Sequence, residues 1–256
     1  MNRASKCSTQ QYTVVPTAKA GSGILVMTTG FRIPLTNDIL IHLTAHERAA
    51  LLDGGVRMVL PAGETFAAAG EVVSTAYFPD SGVLSYISTM ATGHQLAVAA
   101  IGPDGLIGAG QLLGIVHHPY RIVALLDSEG YQIPSQALRR AFDVSENVRA
   151  AVLAHVGRQL IEVTSMVACS RVHSHRQRLA RWLLLTMDKA QQSSLHVTHD
   201  VLAQMVGGPR HAVTVALSEL RARGAIAHLR GRVDICDREL LVRQACECYV
   251  LPTSSR

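Results

Sequence analysis

VTHDVLAQMVGGPRHAVTVALSEL, residues 197–220, decides how this chain is read. Its spacing predicts two short helices joined by a Gly-Gly turn. Leu202, Ala203 and Val206 give the first helix an apolar face, and Ala203 is small where a second helix must cross closely. Gly207 suits the left-handed conformation that ends a helix. Gly208 is then expected as N-cap, with Pro209 in the first helical position, where its missing N–H costs nothing. Val213, Ala216, Leu217 and Leu220 recur at helical spacing as the buried side of the second helix. Arg210, His211, Thr214, Val215 and Ser218 are left outside. In the DNA-binding form of this motif, the N-terminal part of the second helix enters the major groove. The expected contact set therefore also includes Thr198 and His199, at the start of the first helix, and the turn residues Gly208 and Pro209.

A helical hairpin alone is a common unit and carries no such meaning. The residues after it supply the meaning. Arg223-Gly224 stops the second helix, residues 225–229 alternate into a strand, Arg230-Gly231 makes a two-residue turn, and residues 232–236 return as a second strand. A helix-turn-helix joined to a basic-tipped hairpin is a winged helix. Its wing would hold Arg230 and Arg232 near phosphates or the minor groove.

Charge is segregated in the same way. The 256-residue chain has a formal net charge of +5, but residues 169–256 hold 13 Lys+Arg against 7 Asp+Glu. Residues 1–168 hold 11 against 12. The positive charge belongs to the segment with the winged helix, as contact with double-stranded DNA requires.

A hydrophobic content of 48% with 17% charged residues marks a folded chain long enough for two cores. No apolar run approaches the roughly 20 residues that span a bilayer, and residues 24–27 are too short a run for a signal peptide. Five widely spaced cysteines do not suggest a secreted disulfide framework. A cytoplasmic protein without membrane contact is expected.

Residues 1–36 read as a flexible N-terminal extension. Residues 37–144 open with a short helical stretch and continue as short strands between Gly- and Pro-rich turns, the pattern of an antiparallel β roll or jelly roll. Residues 145–170 form one long helix. Along it Leu153, Val156, Leu160, Val163 and Val167 are spaced 3, 4, 3 and 4, a heptad seam suited to a parallel homodimer. The same pattern also suits a helix packed on its own β domain. Residues 171–243 carry the winged helix, and 244–256 form a C-terminal tail. The fold class expected is α+β: β roll, dimerisation helix, winged helix-turn-helix.

That order, with YFPDSGVLSYIS (residues 77–88), RQRLARWLL (176–184), the helix-turn-helix and RGRVDICDRELL (230–241), resembles the CRP/FNR family of bacterial transcription regulators. The resemblance covers residues 37–249, and ACECY (245–249) resembles the ending of one subgroup. It implies a homodimeric, sequence-specific DNA-binding regulator that contacts RNA polymerase and is controlled through its β domain. Family members that bind cyclic AMP hold the ribose with a Glu just after a Gly, and the phosphate with an Arg-Ser or Arg-Thr pair. Here Ala109 follows Gly108, and Pro119-Tyr120 stands where the Arg pair would be, with Arg121 in the wrong strand phase. The expected effector is an unidentified small molecule other than cyclic AMP.

The family's iron–sulfur variant needs several N-terminal cysteines, and only Cys7 is present. Cys246-Glu-Cys248 has no second pair in sequence and reads as two C-terminal thiols, a soft-metal site being the other reading. His117-His118 and the pair His173 and His175 read as surface histidines, haem or metal ligands being the other reading. No metal or cofactor is expected. No nucleophile elbow, paired metal ligands or Walker sequence suggests catalysis, so an enzyme is not expected. The alternative function is a ligand or redox sensor whose winged helix contacts protein and not DNA.

Overall fold

A computed structural model describes residues 25–27, 35–229 and 231–249. It begins with β1 (Leu25–Met27), α1 (Asp38–Ile41) and α2 (Ala45–Leu51). Eight strands build the N-terminal layer: β1, then β2 (Val56–Leu60), β3 (Thr65–Ala67), β4 (Thr75–Pro79), β5 (Leu84–Thr89), β6 (Gln95–Ile101), β7 (Arg121–Ala124) and β8 (Ser128–Pro134). They form two antiparallel sheets, ordered β1-β2-β8-β4 and β3-β7-β5-β6. Met58, Leu60, Tyr77, Leu84, Ile101, Ile107 and Ile122 are buried together as one cluster. The two-layered roll is thus the expected one; the sheet holding β4 is buried on both faces, Tyr77 facing the roll interior and Ala76 and Phe78 packing against the helices.

One expectation is corrected at the N-terminus. The sequence predicts a flexible extension over residues 1–36, yet Leu25–Met27 pairs antiparallel with β2, Leu25 opposite Val59 and Met27 opposite Arg57. A short apolar run among small polar residues is enough for an edge strand, since the neighbouring strand supplies the backbone partners. Residues 1–24 and 28–34 lie outside the described residues. Asn37 is fully buried. Its side-chain amide donates to the Pro79 and Gly105 carbonyls at 2.9 and 2.8 Å, while its Oδ1 accepts from Ile39 N and Leu40 N, capping α1.

After α3 (Ser135–Val144), Ser145 caps the 27-residue helix α4 (Glu146–Val172). Val148, Val152 and His155 of α4 are buried against the β roll. Leu153, Leu160 and Val167 are not: they are 49%, 65% and 62% exposed. Most of the expected seam therefore lies on a different stripe of the helix from the residues buried against the β roll. Val163 is borderline, and Val156 is the exception, packing partly against the roll's core.

The remainder is α5 (His175–Ala190), β9 (Ser194–His196), α6 (His199–Val206), α7 (Arg210–Ala222), β10 (Ile226–Leu229), β11 (Arg232–Ile235) and α8 (Arg238–Gln244). One short helical turn, Glu247–Tyr249, comes last. The segment expected to be a tail thus stays folded to Tyr249, with Cys246 buried. Leu179, Leu183, Leu202, Val213, Leu217 and Leu220 form the core of this region. Val83 and Leu126 of the β roll belong to the same cluster, so the two parts share apolar packing. Lys189 of α5 also pairs with Asp104 of the roll and, at 3.2 Å, with Glu162 of α4.

Candidate nucleic-acid interface

Thr198 caps α6, its side chain accepting from Val201 N at 3.3 Å. At the other end Gly207 takes φ +70°, and its N–H donates to the Ala203 carbonyl at 3.0 Å. The Gly208 N–H donates to that same carbonyl at 3.2 Å. Gly208 therefore still belongs to the ending of α6, a Schellman-type closure, and is not the N-cap expected from sequence. Pro209 takes that role with φ −68° and ψ 147°, its carbonyl accepting from Ala212 N at 3.0 Å, and the helix proper starts one residue later, at Arg210. Two contacts from α5 fix the turn. Arg178 Nη2 donates to the Gly207 carbonyl at 3.0 Å. A Cβ on Gly208 would lie 2.4 Å from His175 Nε2, so the turn seats against α5 in this form only with glycine or a shifted His175 ring.

Val213, Ala216, Leu217 and Leu220 are buried as expected. Arg210, His211, Thr214, Val215 and Ser218 are exposed along the opposite face of α7, Val215 by 56%. The Thr214 and Ser218 hydroxyls donate to carbonyls one turn back, Arg210 O and Thr214 O, each at 3.0 Å. His199 Nδ1 lies 3.0 Å from Thr214 Oγ1, which brings the start of α6 onto the same surface. The Arg210 guanidinium sits 3.4 Å from Asp200, both side chains being mostly exposed. Such a pair is weak in water and is free to exchange for a base or phosphate.

The wing is a two-residue hairpin, Leu229 opposite Arg232. Arg230, assigned to its tip, lies outside the described residues. Arg232 is exposed, with Nε 2.7 Å from Asp234 Oδ1. A strand that the sequence does not predict, β9, pairs with β11 and puts His196 opposite Arg232. Three residues are too few to register as a strand pattern, so no local signal points to His196. His199 and His228 stack with ring centroids 4.9 Å apart. Burial, then the charges of His199 and Arg221, hold the His228 imidazole below its usual pKa. The His228 ring is thereby kept in its neutral form beside Arg221 and His199.

The β roll encloses a cavity of about 330 Å³ lined by Tyr86, Gly108, Ala109, His118, Tyr120 and the α4 residues Val156 and Leu160, among others. Among the described residues, no Arg, Lys, Asp or Glu lines it. Arg121 projects elsewhere, its Nη2 3.5 Å from Gln95 Oε1.

Residues 57–145 match the family model of the cyclic nucleotide-binding domain, and residues 177–244 match that of the Crp-like helix-turn-helix domain. The transcriptional regulator LdrP of Thermus thermophilus is 28% identical over 189 residues, covering 71% of this chain and 93% of that one. A CRP-family regulator from the same organism superposes with TM-score 0.63 at 23% identity, over 73% of this chain and 95% of its own. FixK2 from Bradyrhizobium japonicum superposes with TM-score 0.65 at 16% identity, over 75% and 98%. These structural likenesses concern the fold. Among the described residues no helix is long and apolar enough to cross a membrane.

Proposed function

Since the chain belongs to the CRP/FNR family of transcription regulators, we propose that it acts as a cytoplasmic homodimer that binds a two-fold-related operator and communicates with RNA polymerase. The observation that carries this reading is the outer face of α7. Arg210, His211, Thr214, Val215 and Ser218 stand clear of the domain core and beside a basic wing. Arg210 in the first helical turn can make a bidentate contact with guanine O6 and N7. Arg232, with Arg230, would hold phosphates. Thr198, His199, Gly208 and Pro209 flank them.

Leu153, Val156, Leu160, Val163 and Val167 would form the dimer seam, and residues 37–144, 145–170, 171–243 and 244–256 are taken as the functional divisions. The β roll would act as sensor. Its apolar cavity abuts Val156, Leu160 and Val163 of α4, so an occupant could bias the seam directly. A cyclic phosphate would find no guanidinium there among the described residues, and burying it unpaired is costly. An uncharged, largely apolar effector fits better.

The test is selection of the full-length protein on a randomised duplex library at two salt concentrations. A near-palindrome with half-site centres about 34 Å apart is expected. Recovery of no enriched sequence, with affinity that depends on salt alone, would defeat the proposal and favour a protein-contacting winged helix.

A further inference from the structure

We propose that Cys169, His173, Cys246 and Cys248 form a binding site for one soft divalent cation, Zn²⁺ by its chemistry. The sequence predicts no metal because Cys246-Glu-Cys248 has no second pair nearby in the chain. The fold supplies that pair. Cys169 and His173 are four residues apart and share one face at the C-terminal end of α4. The short helical turn after α8 carries Cys246 and Cys248 to them. All four ligand atoms lie within 4.8 Å of one another. Cys169 Sγ is 3.5 Å from Cys246 Sγ, and Cys248 Sγ is 3.7 Å from His173 Nδ1. A tetrahedral ion with metal–sulfur bonds of about 2.3 Å separates its ligand atoms by about 3.5–3.8 Å. Both edges already have that length. They leave room for one ion and not for a multi-iron cluster.

The surroundings are those of a ligand set. His173 turns Nδ1 toward the sulfurs while its Nε2 lies 3.1 Å from Glu247 Oε1, the carboxylate–histidine arrangement that fixes which nitrogen faces a metal. Three thiolates, one neutral imidazole and a dication leave one net negative charge. Arg181 stands beside it, Nε donating to the Cys248 carbonyl at 3.2 Å. On binding, three thiols give their protons to solvent, four metal–ligand bonds form, and no oxidation state changes. Four protein ligands leave no open position, which marks a structural site and not a catalytic one.

Its position gives the site a consequence. His173 is the C-cap of α4, and the next residue, Ser174, is the N-cap of α5. A bound ion would clamp this joint to the C-terminal end of the winged helix, so that occupancy sets the angle at which α7 is presented. That consequence rests on the DNA-binding reading; the ion site does not.

The test uses the reduced full-length protein loaded with Zn²⁺ or Co²⁺. One Zn²⁺ per chain by native mass spectrometry is expected, and Co²⁺ should give the intense visible bands of tetrahedral thiolate coordination. Cys246→Ser, Cys248→Ser and His173→Gln should each weaken Zn²⁺ binding at least tenfold. Cys236→Ser, at an exposed cysteine away from the cluster, should leave it unchanged. Should the cysteine variants fail to fold, the cobalt spectrum of the unmodified chain still decides. Sub-stoichiometric Zn²⁺ with no cobalt bands overturns the site, as does a resting Cys169–Cys246 disulfide, seen as a loss of two mass units. Operator affinity before and after chelation reads the clamp separately: a fall is expected, and unchanged affinity with stoichiometric Zn²⁺ overturns the clamp alone.

Discussion

The Ser85 hydroxyl of β5, which donates to the Ala99 carbonyl at 3.1 Å, packs 3.6 Å from the Met205 thioether of α6, across the join between the β roll and the DNA-reading helices. Gln204 reaches Gln95 at 3.4 Å beside it. α6 therefore carries two duties, bracing α7 on one side and seating on β5 and β6 on the other. Met205→Asp would bury an unpaired carboxylate at this join, costing about 2–3 kcal/mol. Calorimetry should show one transition for the unmodified protein and two for the variant. A variant that still melts in one step would show that the shared core at Val83 and Leu126 couples the parts without α6.

Base reading and phosphate holding are separable. Arg210→Ala should cost about 1–3 kcal/mol per half-site and relax preference at one base pair. Arg232→Ala should weaken all sequences alike and lower the salt slope by about one unit. Selection on the randomised library distinguishes them. An unchanged preferred sequence for Arg210→Ala would remove its base-reading role.

The seam is best tested at its two most exposed residues. Leu160 and Val167 are 65% and 62% exposed within one chain. Leu160→Asp with Val167→Asp should leave the chain folded, yet place uncompensated charges between the partners at several kcal/mol. Sedimentation should report monomers, with operator affinity reduced at least a hundredfold. A dimer that survives both changes would place the interface elsewhere.

Cyclic AMP at millimolar concentration should change neither melting temperature nor operator affinity. Anything that binds the native state must stabilise it by mass action. A saturable upward shift would show that the Tyr86 and Tyr120 cavity accepts a phosphate after all.

His155 of α4 predicts an acid-sensitive join. Its ring packs on Gly105, with Nε2 3.0 Å from the Leu106 carbonyl. Burial first pushes its pKa down to about 4; Asp104 opposes this, while Arg158 and Lys189 add to it. The folded state thus refuses a proton that the unfolded chain accepts near its ordinary value of 6.5. Stability is full above that value, falls by about 1.4 kcal/mol per unit as pH drops toward 4, and then levels off. His155→Leu should flatten the slope in denaturant titrations between pH 6.5 and 4. A slope that persists would assign the acid sensitivity to carboxylates.

The winged helix was legible because periodicity marks it doubly: the helical spacing from Leu202 to Leu220 and the two-residue turn of the hairpin both survive folding. The β roll was legible through its turn glycines. What the sequence hid was short or distant. β9 is three residues held by its partner strand, β1 likewise, and no local pattern announces either. The start of α7 moved by one residue because the Gly208 N–H goes to Ala203, a closure of the preceding helix that Gly-Gly-Pro alone does not reveal. Cys169 and Cys246, 77 positions apart, meet only because α4 and α8 end together.

The outward residues of α7 make only exposed polar contacts to α6, Thr214 with His199 and Arg210 with Asp200; Val213, Ala216, Leu217 and Leu220 carry the packing from the other side. Operator preference and structural integrity are thereby written in different letters of the same helix. A duplicated copy of this gene could drift to new target sequences by single substitutions at Arg210, His211, Val215 or Ser218 while passing through folded intermediates at each step. Regulatory rewiring would then be limited by the promoters available and not by the robustness of the protein.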